Sequence, residues 1–100
     1  VFAEQGAAIV AQRRWLLDAL SRTAGIQVFP SEANFILFRV AHGAAAAVFT
    51  GLKSRGVLIK NMDGSDPLLH DCLRVTVGTP VENVSFMETL AVTYSASTNS

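Results

Sequence analysis

The sequence predicts an α/β (α+β) sandwich, in which a small mixed or antiparallel sheet carries helices on one face. Helical and strand-like periodicities follow one another as helix, strand, strand, helix, strand, strand, helix. Half of the 100 residues are apolar, enough for one well-filled core in a chain too short for two. The run Leu73–Val77 alternates, with Leu73, Val75 and Val77 on one side and Arg74 and Thr76 on the other. One sheet face is therefore left to solvent or to a partner.

Residues 1 to about 24 read as a helix, with Phe2, Ile9, Leu16 and Leu20 near one face and Val10, Trp15 and Leu17 widening the stripe. Gly25 is its stop. Ile26–Phe29 is a short strand broken by Pro30-Ser31-Glu32. Phe35–Val40, reading FILFRV, is the strongest strand, because aromatic and β-branched residues dominate it. Ala45, Val48, Phe49 and Leu52 recur at one helical face between Ala44 and Arg55, and Gly56 ends that helix. Val57–Ile59 is the third strand and Leu73–Val77 the fourth. Thr79-Pro80-Val81-Glu82 has the form of a capping box. It opens a helix using Val84, Phe86, Met87 and Leu90–Ala91, and Ser95–Ser100 reads as a frayed tail.

Composition excludes several functions. Eight Lys plus Arg balance eight Asp plus Glu, and no basic run tracks a phosphate backbone, so nucleic acid is not an expected partner. The apolar runs are too short to cross a bilayer. Cys72 is the single cysteine; it permits no intrachain disulfide, reads as a small buried hydrophobe and fits a reducing cytoplasm. The chain starts at Val1 and is read as a piece of a longer protein.

The residues that carry chemistry lie between Gly56 and Pro80. Two short apolar runs there each contain one cation, Lys60 and Arg74, and a cation inside such a run asks for an anion. Arg74 offers a planar fork that matches a carboxylate; Lys60 offers a point charge suited to a phosphate. From the residues alone, Arg74 equally pairs with one of the chain's own carboxylates, and Lys60 equally is a solvated strand-end lysine. His42 and His70 have no Cys or His at ligand spacing and read as surface residues, so no metal site is expected. Asp63, Asp66 and Asp71 read as turn formers.

The segments PSEANFILFRV, GLKSRGVLIKN and CLRVTVGTPVEN resemble, in this order and spacing, the C-terminal small domain of the histidinol-phosphate aminotransferase family, which are fold-type I pyridoxal-phosphate enzymes. The likeness runs from roughly Ala8 to Leu90. It implies a small domain over residues 1–94, followed by a tail over 95–100. It also implies that Arg74 binds the substrate α-carboxylate and that Lys60, where the family commonly has arginine, meets the substrate phosphate. Asn34 and Phe35 would line the cleft. The implied reaction moves an amino group from glutamate through the cofactor to imidazole-acetol phosphate, giving histidinol phosphate and 2-oxoglutarate in histidine biosynthesis. The Schiff-base lysine and the rest of the pyridoxal phosphate site belong to the family's large domain. Neither Lys53 nor Lys60 takes the lysine's role, so no catalytic residue is expected in this chain and it should be inactive alone. The implied partners are small-molecule substrates, the protein's own large domain and a second copy in a cytoplasmic homodimer. Two other readings stay open: a phosphothreonine decarboxylase of cobalamin synthesis, and a non-catalytic ligand-binding or dimerisation module.

Overall fold

A computed structural model describes the backbone of residues 2–98 and the side chains of residues 8–95. The elements are α1 (Phe2–Ser21), β1 (Gln27–Val28), β2 (Phe35–Arg39), α2 (Ala45–Ser54), β3 (Lys60–Asn61), β4 (Cys72–Thr76) and α3 (Pro80–Thr98), with a 3-10 turn at Pro67–Leu69. The strands pair antiparallel throughout in the order β1-β2-β4-β3. The expected sandwich is present, and its sheet is wholly antiparallel.

Only part of the expected stripe on α1 enters the core. Leu16 and Leu20 are fully buried, whereas Ile9 and Trp15 stay 46% and 42% exposed, and the Phe2 side chain lies outside the described residues. The turn after α1 requires glycine for two reasons. Gly25 has φ +80°, and a Cβ there would stand 2.9 Å from the Tyr94 hydroxyl. That hydroxyl donates to the Gly25 carbonyl at 2.7 Å and accepts from the Ala41 amide at 2.8 Å. One side chain of α3 thus ties the α1–β1 turn to the connection after β2.

The third strand is displaced from its expected place. Val57–Ile59 form no ladder, and pairing with β4 starts only at Lys60, opposite Arg74. The cause is the end of α2. Gly56 adopts φ +87°, its amide bonds the Lys53 carbonyl at 3.0 Å, and the Val57 amide reaches back to Leu52 at 2.9 Å. This paired closure holds Val57 to the helix, so the chain reaches β4 three residues late.

The helices cover one sheet face, and the core is formed by Leu16, Leu20, Ile36, Phe38, Val48, Leu52, Leu73, Val75, Phe86 and Leu90 with their neighbours. Phe38 meets Phe86 edge-on, with centroids 6.1 Å apart and planes at 66°. Such a contact contributes about 0.5–1.5 kcal/mol beyond the buried area. With the hydrogen bonds of Asn83 and Tyr94 it orients α3. Asn83, Phe86, Leu90, Thr93 and Tyr94 face inward, while Val84, expected inside, is 42% exposed and Ala91 is exposed too. On α2, Ala45, Val48 and Leu52 are buried and Phe49 is half-buried at the margin.

The capping box forms as read. The Thr79 amide donates to Glu82 Oε1 at 2.8 Å, and the Glu82 amide donates to Thr79 Oγ1 at 3.2 Å. These bonds hold the Glu82 carboxyl below its usual pKa. The helix they start continues to Thr98, so Ser95–Thr98, expected as tail, are helical; the side chains beyond Ser95 lie outside the described residues.

Candidate functional site

Residues opposite each other in an antiparallel ladder project to the same face. The β2–β4 register pairs Ile36 with Val75 and Phe38 with Leu73 on the core side. On the other side it pairs Phe35 with Thr76, Leu37 with Arg74 and Arg39 with Cys72. The β3–β4 register adds Lys60 directly opposite Arg74. The uncovered face therefore presents Arg39, Arg74 and Lys60 on three different strands.

Lys60 and Arg74 are the adjacent pair. Like charges placed directly across an antiparallel ladder repel, and a fold tolerates them where solvent or an anion answers the charge. Among the described residues, neither makes an ion pair with a carboxylate. The alternative in which Arg74 satisfies one of the chain's own carboxylates is thus not realised. Its guanidinium carbon instead sits 4.7 Å from the centroid of the Phe35 ring. Arg74 is half-buried and Lys60 exposed, so the first has a packed stem and the second a solvated one.

Asn34 and Phe35 stand where β2 begins, at the end of the face next to Thr76. The Asn34 carbonyl accepts from the Val77 amide at 2.8 Å, and the Ser31 hydroxyl donates to the Phe35 carbonyl at 2.5 Å. Arg13 of α1 donates to the Ala33 carbonyl at 3.3 Å. The backbone that delivers Phe35 is held from three directions. The four residues singled out by resemblance are therefore divided: Arg74, Lys60 and Phe35 share one face, and Asn34 contributes its backbone at the edge of it.

Arg39 is a further cation of this face, beyond those expected from the sequence. Its Nη2 donates to the Leu68 carbonyl at 2.7 Å and its Nε to the His70 carbonyl at 3.0 Å, while the guanidinium lies 5.2 Å from the Phe29 centroid. This arginine straps the β3–β4 connection to the sheet, and Cys72, its ladder partner, is fully buried as expected. The signal lay in FILFRV, where a lone cation occupies an outward register position.

Asp71 is more than a turn former. It is 6% exposed, has φ +59°, and accepts from the Gly43 amide at 3.0 Å. Its Oδ2 lies 3.5 Å from Nδ1 of both His42 and His70. Burial opposes its ionisation, but the Gly43 bond, the His70 contact and the charges of both histidines outweigh it and hold the carboxyl below its ordinary range. The two histidines are exposed, as expected, and among the described residues no group of three acidic, His or Cys side chains could hold a metal. Asp66 does act as a turn former, its carboxylate accepting from the Leu68 amide at 2.8 Å.

A cleft of about 630 Å³ opens where Val57–Ile59 diverge from β4, bounded by Gly56–Ile59, Val75–Gly78 and the first turns of α3. Neither Arg74 nor Lys60 lines it. The two cations stand on the open sheet face, away from this cleft. Behind β4, buried Asn83 accepts from the Gly78 amide at 2.9 Å and donates to the Gly78 carbonyl at 3.0 Å and to Gln12 Oε1 at 2.9 Å. It fixes the loop that carries β4 into α3.

Residues 2–90 match the family described as Aminotransferase class I and II. A curated histidinol-phosphate aminotransferase 2 of Nitrosococcus oceani is 55% identical over 87 residues, which is 87% of this chain and 24% of that protein. The crystal structure of the histidinol-phosphate aminotransferase from Clostridium acetobutylicum superposes with a TM-score of 0.79 over 94% of this chain and 28% of that one, at 20% identity. The L-threonine-O-3-phosphate decarboxylase from Porphyromonas gingivalis gives a TM-score of 0.74 over 82% of this chain and 26% of that one, at 28% identity. The chain thus spans about a quarter of the length of the relatives it matches. With a family match along nearly its whole length, this chain belongs to the class I and II aminotransferases.

Proposed function

We propose that this chain supplies the substrate-anion site of a histidinol-phosphate aminotransferase, acting together with a large domain of the same protein in a cytoplasmic homodimer. The observation that carries this reading is the adjacent cation pair, Lys60 opposite Arg74, without a carboxylate partner among the described residues. The rigid fork of Arg74 takes the α-carboxylate of glutamate, and Lys60 takes the phosphate of histidinol phosphate or its keto counterpart. Both substrates enter one site, so cations of different geometry side by side suit both. Asn34 and Phe35 border the same face. The name carried by the relative at 55% identity supports this branch of the family. Among the described residues no helix is long and apolar enough to cross a membrane.

The aminotransferase family implies pyridoxal phosphate. When bound, that group supplies the electron sink for amino-group transfer. The residues of this chain do not fit it. Both lysines are exposed, Lys53 on α2 and Lys60 beside a second cation, and neither makes an ion pair with a carboxylate among the described residues. Its attachment site is assigned to the large domain, and the role of this chain is to bind and orient the substrate anions.

The test is steady-state kinetics of the full-length enzyme. A charged hydrogen bond contributes about 1.5–3 kcal/mol, so Arg74→Ala should raise the glutamate KM by tenfold or more. Lys60→Ala should raise the KM for histidinol phosphate and leave that for glutamate within about twofold. Unchanged glutamate kinetics in the Arg74 variant removes the carboxylate role. A second reading, decarboxylation of a phosphorylated amino acid, is favoured by the likeness to the Porphyromonas gingivalis decarboxylase. Release of carbon dioxide from phosphothreonine would select it.

A further inference from the structure

The open face carries two arginines, each set over an aromatic ring, and they differ in one respect. Arg39 lies 5.2 Å from the Phe29 centroid and gives its N–H groups to the Leu68 and His70 carbonyls. Arg74 lies 4.7 Å from the Phe35 centroid, and among the described residues its N–H groups have no hydrogen-bond partner. The first arrangement completes a structural strap. The second holds a guanidinium in place while leaving its donors for something else.

Stacking constrains a guanidinium in a specific way. A ring against one face fixes the plane of the fork, shields that face from water and leaves the donating edge open. Phe35 is diagonal to Arg74 on the ladder, within reach for an aromatic side chain. Its own position is fixed by the Ser31 bond to its carbonyl and by the Val77 bond to the residue before it. The backbone that carries the ring is therefore held on both sides, and the ring itself, 37% exposed, rests beside the guanidinium.

We propose that Phe35 is a positioning residue for Arg74: its ring sets the plane of the guanidinium, so that a substrate carboxylate meets a fork already oriented for two parallel bonds. This inference rests on the carboxylate role given to Arg74 above. It differs from a cleft-lining role, because it makes the effect of Phe35 pass through the arginine.

The experiment is a double-mutant cycle in the full-length enzyme, with glutamate as the varied substrate. Phe35→Leu keeps an apolar side chain and removes the ring; Phe35→Tyr restores the ring. Phe35→Met replaces the Leu variant should that one not accumulate. The ringless variant should raise the glutamate KM about three- to tenfold with kcat within twofold and an unchanged Tm, and Phe35→Tyr should return KM close to wild type. In an Arg74→Ala background, Phe35→Leu should add nothing. Equal KM values in wild type and Phe35→Leu overturn the proposal, as does a Tyr variant no better than Leu. So does an undiminished effect of Phe35→Leu in the Arg74→Ala background, since Phe35 would then touch the substrate itself. If Arg74→Ala alone leaves the glutamate KM unchanged, the carboxylate reading fails first.

Discussion

Replacing Asn83 by alanine should be strongly destabilising, because it leaves a buried hydrogen-bond network without its centre. Asn83 is 2% exposed, and its amide makes three hydrogen bonds, two to Gly78 and one to Gln12. The orientation of the amide is fixed by Gly78, which presents both a donor and an acceptor; turning it over would set two donors against each other. Each bond contributes about 0.5–1.5 kcal/mol net, so losing all three amounts to about 2–4 kcal/mol, with water reaching half-buried Gly78 offsetting part. For a domain of this size the urea dependence is about 1–2 kcal/mol per molar, so the midpoint of urea unfolding, followed by far-UV circular dichroism, should fall by about 1–3 M. Asn83→Asp sharpens the test. It keeps the bond from the Gly78 amide but turns a carboxylate oxygen towards the Gly78 carbonyl and Gln12 Oε1, so it should be as damaging at neutral pH and partly recover in acid, when the group can donate again. A midpoint shift below about 0.3 M for Asn83→Ala, or an Asp variant insensitive to pH, would refute the reasoning.

Three further outcomes follow from the packing and the caps. Phe38→Ala removes a fully buried ring and its edge-on contact with Phe86, and should cost about 3–5 kcal/mol, abolishing the near-UV circular dichroism signal of packed aromatics at 25 °C. Asp71→Asn keeps a residue that tolerates positive φ and removes the charge. Because the folded carboxyl lies below its ordinary value of 3.8, the stabilisation it provides is full above that value and is lost as the pH falls through the folded pKa. Wild type should therefore exceed the variant by about 1–2 kcal/mol at about pH 5 in urea unfolding, and the gap should close in stronger acid. Thr79→Ala removes one half of the capping box and should lower stability by about 0.5–2 kcal/mol, whereas Thr79→Ser should retain it, as thermal unfolding would show.

What could be read from the sequence was whatever local chemistry decides. The capping box at Thr79–Glu82, the stop at Gly56 and the alternation around Arg74 each act within a few residues, and each is found. The rotation of α3 is not legible locally because Val84 and Asn83 are neighbours on the helix, and contacts distant in sequence, Phe38 with Phe86 and Gln12 with Asn83, accompany the inward turn of Asn83. β3 was displaced because the same Gly56 that ends α2 also ties Val57 back onto it, an effect of geometry on the residues that follow. For the site, Lys60 and Arg74 stood out as cations in apolar runs, but their being opposite each other depends on strand register. Asp71 lay hidden among three aspartates whose turn chemistry looks alike, and its histidines come from two different loops.

The two cations are mounted differently. β4 is an inner strand, hydrogen-bonded to β2 on one flank and β3 on the other, while β3 is a two-residue edge. Arg74 is thus a fixed post, whose displacement would break two ladders, and Lys60 is a swinging arm on a short margin of sheet. Under the anion-binding role proposed above, such a pair would hold the common end of its ligands at a set point and follow the variable end. Tolerance to ligand length should accordingly be tuned from the β3 side, by altering the few residues between Gly56 and Asn61, without disturbing the anchor.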